Sequence, residues 1–179
     1  GKIYADYEGI DKIITDSIAE HYLPLKLNDK VPTQTVSIVI ALADKINTLI
    51  SFWNIKEKPS GSKDPYALRR CAIGLIRILI ENKLDINISE LIFNDLNIND
   101  AIDLFKFLED RFRVYLLEKD FDQDVLDACL QFSDFNNPYL FFLKINSLKK
   151  FKKTNAFNNL INSYKRPVNI LISEEKRNK

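Results

Sequence analysis

The stretch "KPSGSKDPYALRRCAIGLIRILI", residues 58–80, carries the clearest helix pattern in the chain and decides the fold class. Pro59 and Gly61 interrupt the chain just before a long apolar run. Asp64 is a natural N-cap and Pro65 a natural first helical residue, so the pattern predicts that a helix begins here. Apolar residues then recur every three or four positions and predict its buried face: Leu68, Cys71, Ala72, Leu75 and Leu79.

The rest of the sequence has the same helical period, and no region alternates with the period of two expected for a strand. A first helix is predicted from Glu8 to Tyr22 and a second from Pro32 to Trp53. The buried positions predicted for these two helices are Ile10, Ile13, Ile14, Ile18, Val36, Val39, Ile40, Ala43 and Ile50. Further helices are predicted at 99–119, 122–132, 138–151, 155–164 and from residue 167 onward. We therefore predict an all-α, multi-helix bundle.

The composition is that of a globular protein, with 46% hydrophobic and 28% charged residues. The formal net charge is +1, which excludes a strongly basic or acidic chain but leaves room for local patches. Acidic residues concentrate between 81 and 136, and basic residues between 144 and 179. The absence of methionine predicts a piece of a longer cytosolic protein. No run has the length expected of a membrane span, and Cys71 and Cys129 are expected to be reduced, buried thiols.

The texture of the sequence changes after Asn82, where "KLDINISELIFNDLNIND" is polar and rich in asparagine. This change predicts a boundary between a helical region at 1–83 and a second helical region at 84–179.

The loop "PSGSKD" places Lys63 ahead of a helix N-terminus, where phosphate groups bind readily. It lacks the Gly-x-x-x-x-Gly-Lys-Ser/Thr pattern of a nucleotide-binding loop. A turn followed by a helix cap is therefore the favoured interpretation.

Two adjacent arginines follow that loop. At 100° per residue, Arg70 and Arg77 share one stripe beside the buried face, whereas Arg69 points elsewhere. Glu81 lies four residues after Arg77, at the right spacing for an ion pair. Pairing with acidic neighbours is the ordinary role of such arginines, and contact with an RNA backbone is the alternative.

Asp44 interrupts the otherwise apolar helix "ALADKINTL", and Asn47 follows three residues later. A buried carboxylate must be paired or coordinated. We predict a structural polar network of Asp44, Asn47, Arg70 and Arg77 rather than a metal or acid–base site. His21 is the chain's one histidine, which is too little for a metal centre or a histidine-activated nucleophile. We predict no catalytic residue and no metal site.

The segment "LKKFKK", residues 148–153, mixes lysines with an aromatic residue, as RNA-binding surfaces do. An ordinary solvated helix face has the same appearance. The candidate RNA contacts from the sequence are Lys63, Arg69, Arg70, Lys149, Lys150, Lys152 and Lys153.

Several stretches taken together resemble a known family. "YADYEG", "SIAEHYLP", "ALADKINTL", "KPSGSKDPYALRR" with "AIGLIRIL", and "YKRPVNIL" occur in an order and spacing that resemble the β subunit of bacterial heterotetrameric glycyl-tRNA synthetase. The resemblance runs from Gly1 to about Ile172, and "GSKDPYALRRCAIGLIRIL" is its most specific part.

The resemblance implies an internal fragment of a cytoplasmic enzyme with two α and two β subunits. In that family the α subunit activates glycine with ATP and Mg²⁺, and the β subunit supplies most of the tRNA-binding surface. The implied partners are tRNA(Gly), the α subunit and the remainder of the β subunit, with no membrane. No cofactor is expected in the fragment itself.

The resemblance also implies that residues 1–83 are the latter part of an HD-like helical domain. In HD phosphohydrolases an aspartate at the position of Asp44 is one of four metal ligands, but the His-Asp pair of those enzymes is missing here. The family usually has aspartate where this chain has Asn47, which further weakens a hydrolytic role. Two alternatives to a tRNA-binding fragment remain: an HD-type phosphohydrolase using Asp44 and His21, and a purely structural helical scaffold.

Overall fold

The computed structural model describes residues 1–26, 28–132 and 135–177, and within these ranges the chain forms nine α-helices and no β-strand. This confirms the all-α prediction. The helices are α1 (Lys2–Tyr7), α2 (Lys12–Glu20), α3 (Thr35–Asn54), α4 (Leu68–Glu81), α5 (Ile88–Asp95), α6 (Ile98–Leu117), α7 (Gln123–Phe132), α8 (Pro138–Lys152) and α9 (Asn155–Arg177).

Helix α4 is the centre of the fold and packs against α3, α6 and α8. Its predicted buried face is correct, since Leu68, Leu75 and Leu79 are each 1% exposed. The helix begins at Leu68, three residues later than Pro65, because Ala67 has a left-handed backbone with φ of +56°. Ala67 is therefore the N-cap in place of Asp64. The Asp64 carboxylate nevertheless accepts hydrogen bonds from the N–H groups of Leu68 at 2.8 Å and Arg69 at 3.1 Å.

Helix α3 buries a different face from the one predicted. Ile50 is buried as expected, but Val39 is 59% exposed, and Val36, Ile40 and Ala43 are exposed as well. The buried side chains of α3 are Ser37, Ala41, Leu42, Lys45, Leu49, Ile50 and Trp53. The prediction failed because α3 is apolar on nearly all sides, so periodicity does not select one face.

Helix α3 is also long and apolar enough, by length and composition, to cross a membrane. The prediction that no run has this length was therefore wrong. Core helices of soluble proteins pass the same test, and α3 buries Leu49 and Trp53 against neighbouring helices.

The predicted first helix is two helices, α1 and α2, separated around Gly9, which has φ of +72°. Ile10, Ile13 and Ile14 are exposed, contrary to prediction. Thr15 and Ser17 are buried instead. Their hydroxyl groups donate to the carbonyls of the preceding turn, at 3.2 and 2.8 Å, and so can be buried without a further partner.

The second half of the chain completes the same core. The predicted face of α6 is confirmed, with Ala101, Leu108, Phe112 and Tyr115 buried and Phe105 half-buried. Leu75 of α4 meets Leu104 and Leu108 of α6, so apolar packing continues across residue 83. The division into regions 1–83 and 84–179 stays a prediction.

The last helix differs from prediction. A break was expected before Pro167, but α9 is continuous and carries Pro167 inside it. Proline removes one backbone hydrogen bond from a helix interior. The prediction that the helix ends before Pro167 was therefore wrong, because the loss of one hydrogen bond does not end α9. Helix α9 packs against α8 and leaves most of its described side chains exposed.

Candidate nucleic-acid interface

A groove of about 870 Å³ lies where the end of α4, the end of α6 and the last turns of α8 meet. Five basic side chains and one acidic side chain line it: Arg77, Lys119, Lys149, Lys150 and Lys153, with Glu81. Three aromatic residues, Tyr115, Phe121 and Phe142, also contribute to its wall. The groove is therefore cationic although the whole chain is almost neutral.

The lysines of α8 reach the groove because of how that helix begins and packs. Asn137 caps it by accepting a hydrogen bond from the N–H of Leu140 at 3.0 Å, and Pro138 is its first residue. Phe141 and Ile145 are buried and fix its rotation. Lys149 and Lys150 consequently fall in its last turn, where positive charge suits the helix dipole.

Two of the four lysines predicted within residues 148–153 are held by contacts within the protein. Lys149 donates to the carbonyl of Asp120, and its Nζ lies 4.2 Å from the centre of the Phe121 ring. Lys152 pairs with Asp124 at 2.8 Å and Asp122 at 3.0 Å. The hydrogen bonds that Lys152 donates to Asp124 and Asp122 raise its pKa. Lys152 is thus turned toward the acidic start of α7.

Arg77 forms the buried end of the groove. Its guanidinium donates to Glu81 at 2.7 Å, to the carbonyl of Lys26 at 3.1 Å and to the carbonyl of Asp29 at 2.7 Å. The predicted Arg77–Glu81 pair is therefore confirmed. Burial raises the pKa of Tyr115, which keeps this phenol neutral at physiological pH.

The exposed rim of the groove consists of Lys119, Lys150 and Lys153. Three cations spaced around a concavity match the chemistry of a nucleic-acid backbone, whose phosphates pair with lysines. The sequence indicated Lys150 and Lys153 but missed Lys119. This residue was predicted to end the helix 99–119, and a lysine at a helix end is the pattern that would have drawn attention to it.

The three basic residues around the opening loop lie apart from that rim. Lys63 is exposed in a tight turn in which its backbone pairs with Ser60. Arg69 is turned back toward the loop and donates to the carbonyl of Gly61. Arg70 is exposed and lines a cavity of about 310 Å³ together with Arg77. Arg77 also lines the groove, whereas Arg70 does not.

The predicted polar network is wrong. Asp44 and Asn47 are both exposed, and in the described part of the chain no hydrogen bond or ion pair joins either of them to Arg70 or Arg77. Asp44 and Arg70 do line one cavity. The buried charge of α3 is the next residue, Lys45, which is 3% exposed. One residue along a helix is a rotation of about 100°, enough to exchange an inward for an outward side chain.

No three His, Cys, Asp or Glu side chains converge in a way that could hold a metal ion within the described residues. The nitrogen Nδ1 of His21 lies 2.8 Å from the carbonyl of Ile18, and its ring stacks against Tyr22. This geometry gives an HD-type phosphohydrolase no support. Burial raises the pKa of the Cys71 thiol to about 12, which leaves it a poor nucleophile at neutral pH.

Fold and site together define an all-α protein with a cationic, aromatic-lined groove. The family model for the glycyl-tRNA synthetase beta subunit matches residues 1–131. The chain belongs to this family.

Curated relatives extend the match to nearly the whole chain. The glycine–tRNA ligase beta subunit of Ruegeria sp. (strain TM1040) is 39% identical over 177 residues, which is 99% of this chain and 26% of the relative. The beta subunit of Paracoccus denitrificans (strain Pd 1222) is 39% identical over 175 residues, 98% of this chain and 26% of the relative. The chain therefore spans about a quarter of the length of the curated relatives it matches.

Proposed function

We propose that this chain is a tRNA-binding part of the β subunit of glycine–tRNA ligase, and that the groove rimmed by Lys119, Lys150 and Lys153 contacts the tRNA backbone. The observation that carries the proposal is the concentration of five basic side chains around one groove in a chain of net charge +1. Phosphate contacts supply most of the affinity in such complexes and position the RNA.

The opening loop extends the proposed contact. Lys63 and Arg70 are exposed and add two cationic side chains outside the groove. Arg69 is half-buried and bonded to Gly61, so its part is to hold the loop and add positive charge. Lys149 adds charge in the same way, since a backbone carbonyl holds it, whereas the two carboxylates that pair with Lys152 neutralise its charge.

In this proposal the chain positions tRNA and does no bond-forming chemistry itself. Esterification of glycine to tRNA, with ATP and Mg²⁺, belongs to the α subunit, and the assembled enzyme works in the cytoplasm. The burial of Lys45 and the inert Cys71 thiol fit a role without a nucleophile.

Subunit contact is a second proposed role, and a separate surface favours it. Ile3, Tyr4 and Tyr7 of α1 are 82%, 77% and 92% exposed, and Ile13 and Ile14 of α2 are about half exposed. Large apolar and aromatic side chains exposed on two packed helices favour a protein–protein interface. This surface would face the remainder of the β subunit or the α subunit.

The test of tRNA binding uses the assembled ligase with a full-length β subunit. The rim variant replaces Lys119, Lys150 and Lys153 by Gln, and the matched control replaces three exposed lysines that do not line the groove, Lys12, Lys106 and Lys144. The rim variant is expected to bind tRNA(Gly) at least tenfold more weakly at physiological salt, because three phosphate contacts are lost.

The control variant is expected to bind within about twofold of the unaltered enzyme, since screened charges far from the contact contribute little. Equal loss in both variants would show only a general charge effect and would contradict the proposal. Failure of the rim variant to assemble with the α subunit, with tRNA affinity retained, would assign this surface to subunit contact instead.

A further inference from the structure

A second cavity, of about 240 Å³, lies between α3, the start of α4 and the segment at 22–25. It is separate from the lysine groove and belongs to the face that carries Arg70. The side chains that matter for its chemistry are Tyr22, Asp44, Lys45, Tyr66 and Arg70. Two are cationic, two are aromatic with hydroxyl groups, and one is acidic.

Lys45 lies inside the protein without an acidic partner. Its Nζ donates to the carbonyls of His21 at 3.3 Å and Tyr22 at 3.2 Å, and within the described residues it forms no ion pair. An ammonium group has three donors, so these two carbonyls leave one donor over. Burial lowers the pKa of Lys45, which is the consequence of a charge with too little compensation. A bound anion would supply the missing counter-charge.

Arg70 differs from its two neighbouring arginines. Arg69 is bonded to the Gly61 carbonyl and Arg77 to Glu81 and two carbonyls, whereas in the described part of the chain the guanidinium of Arg70 has no hydrogen-bond partner. Arg70 is exposed and lines both this cavity and the adjoining one of about 310 Å³. A guanidinium presents paired N–H donors that fit two oxygens of one phosphate group.

The remaining walls suit the rest of a nucleotide. Tyr22 and Tyr66 are 59% and 49% exposed, so each has ring surface available for a base to stack on. Asp44 is an acceptor at the same cavity, and a ribose hydroxyl is a donor that fits it.

We propose that this cavity binds the phosphate group of a nucleotide, with Arg70 and Lys45 as its cationic contacts. Free mononucleotides and the terminal nucleotide of an RNA share this chemistry. The cavity shares Arg70 with the proposed tRNA contact but is lined by none of the rim lysines, so replacing Lys119, Lys150 and Lys153 by Gln is expected to leave phosphate and AMP binding unchanged.

The test titrates the full-length β subunit with three probes: inorganic phosphate, AMP and a short 5′-phosphorylated RNA, each followed by calorimetry. Arg70→Gln is expected to weaken binding of all three by about tenfold or more, the effect of losing a charge-assisted pair of hydrogen bonds. The matched control, Arg166→Gln, changes an exposed arginine of α9 and is expected to leave binding within about twofold.

Lys45→Met removes the second cation and keeps the volume of the side chain. It is expected to weaken phosphate binding as well, with circular dichroism as the check that it folds. Tighter binding of AMP than of RNA identifies a mononucleotide site, and the reverse identifies an RNA end. The proposal is overturned if none of the probes binds at millimolar concentration, or if Arg70→Gln and Arg166→Gln bind alike.

Discussion

Arg77 lies almost entirely inside the protein, and its guanidinium joins three parts of the chain. It bonds to Glu81 on its own helix and to the carbonyls of Lys26 and Asp29, which lie about fifty residues earlier. Its side chain is 6% exposed. Buried carbonyls without a donor are costly, so the arginine stabilises a segment that has no regular structure of its own.

Replacing Arg77 by Ala is therefore expected to destabilise the fold by about 2–4 kcal/mol, because two carbonyls and a carboxylate lose their donor. Urea unfolding followed by circular dichroism measures this change. Arg70→Ala on the same helix is the control and is expected to stay within about 0.5 kcal/mol, since Arg70 is exposed. Similar values for the two variants would contradict the structural role of Arg77.

Asp100 is expected to make the free energy of unfolding depend on pH in the acidic range. It is 4% exposed, and the hydrogen bonds from Lys56, Lys58 and Asn97 lower its pKa. Its stabilising contribution is therefore fully present above the ordinary aspartate pKa of about 3.9 and is lost as pH falls through the lower folded value. Asp100→Asn cannot titrate, so its free energy of unfolding should fall less steeply between about pH 5 and pH 2.

Urea unfolding at a series of pH values checks this, with Asp95→Asn, an exposed acid of α5, as the control. The control is expected to keep the steep acid dependence. If Asp100→Asn keeps it too, the ion pairs of Asp100 with Lys56 and Lys58 do not stabilise the folded state.

Single residues were the hardest feature to predict from the sequence. Asp44 and Lys45 are neighbours in an apolar helix, and the rule that buried charges are paired pointed to Asp44 because arginines were available as partners. Lysine is also rarely buried. In the structure Lys45 is buried instead, because two backbone carbonyls at 21 and 22 accept from it. Because these carbonyls lie more than twenty residues before Lys45, the sequence around Lys45 does not indicate that they are available.

At the scale of elements, α4 shows why some helices are predictable. Its amphipathic pattern has one apolar face, and three larger neighbours cover that face, so sequence and structure agree from Leu68 to Leu79. For α3, which is apolar on nearly all sides, the sequence predicts a helix but not its orientation. The face predicted to be buried, including Val36, Val39 and Ile40, remains exposed.

The start of α4 gives a test at this scale. Asp64→Ala removes the acceptor for two backbone N–H groups and is expected to cost about 0.5–2 kcal/mol. Ser62→Ala, an exposed change in the same loop, is the control and is expected to be close to neutral. Thermal or urea unfolding distinguishes the two. An unchanged stability for Asp64→Ala would mean that the loop does not set the start of the helix.

At the scale of the whole molecule, the fold brings together basic residues that are far apart in the sequence. Lys119 lies some thirty residues before Lys150, and only the packing of α8 beside the end of α6 brings them to one groove. The sequence showed that the end of the chain is basic, but it could not show that Lys152 pairs with the acidic start of α7 while Lys150 and Lys153 face the groove. Helical spacing predicts which residues share one face of α8. The helices packed against α8 determine which of those residues remain exposed to solvent.

The measurement that tests the central claim most directly is the salt dependence of tRNA(Gly) binding to the assembled ligase. Each phosphate contact contributes about 0.7–0.9 to the slope of log affinity against log salt concentration. If Lys119, Lys150 and Lys153 contact the tRNA backbone, replacing all three by Gln should reduce the magnitude of that slope by about 2–3, and the Lys12, Lys106 and Lys144 control should not. Identical slopes for the rim variant and the control would contradict the claim that this groove binds tRNA.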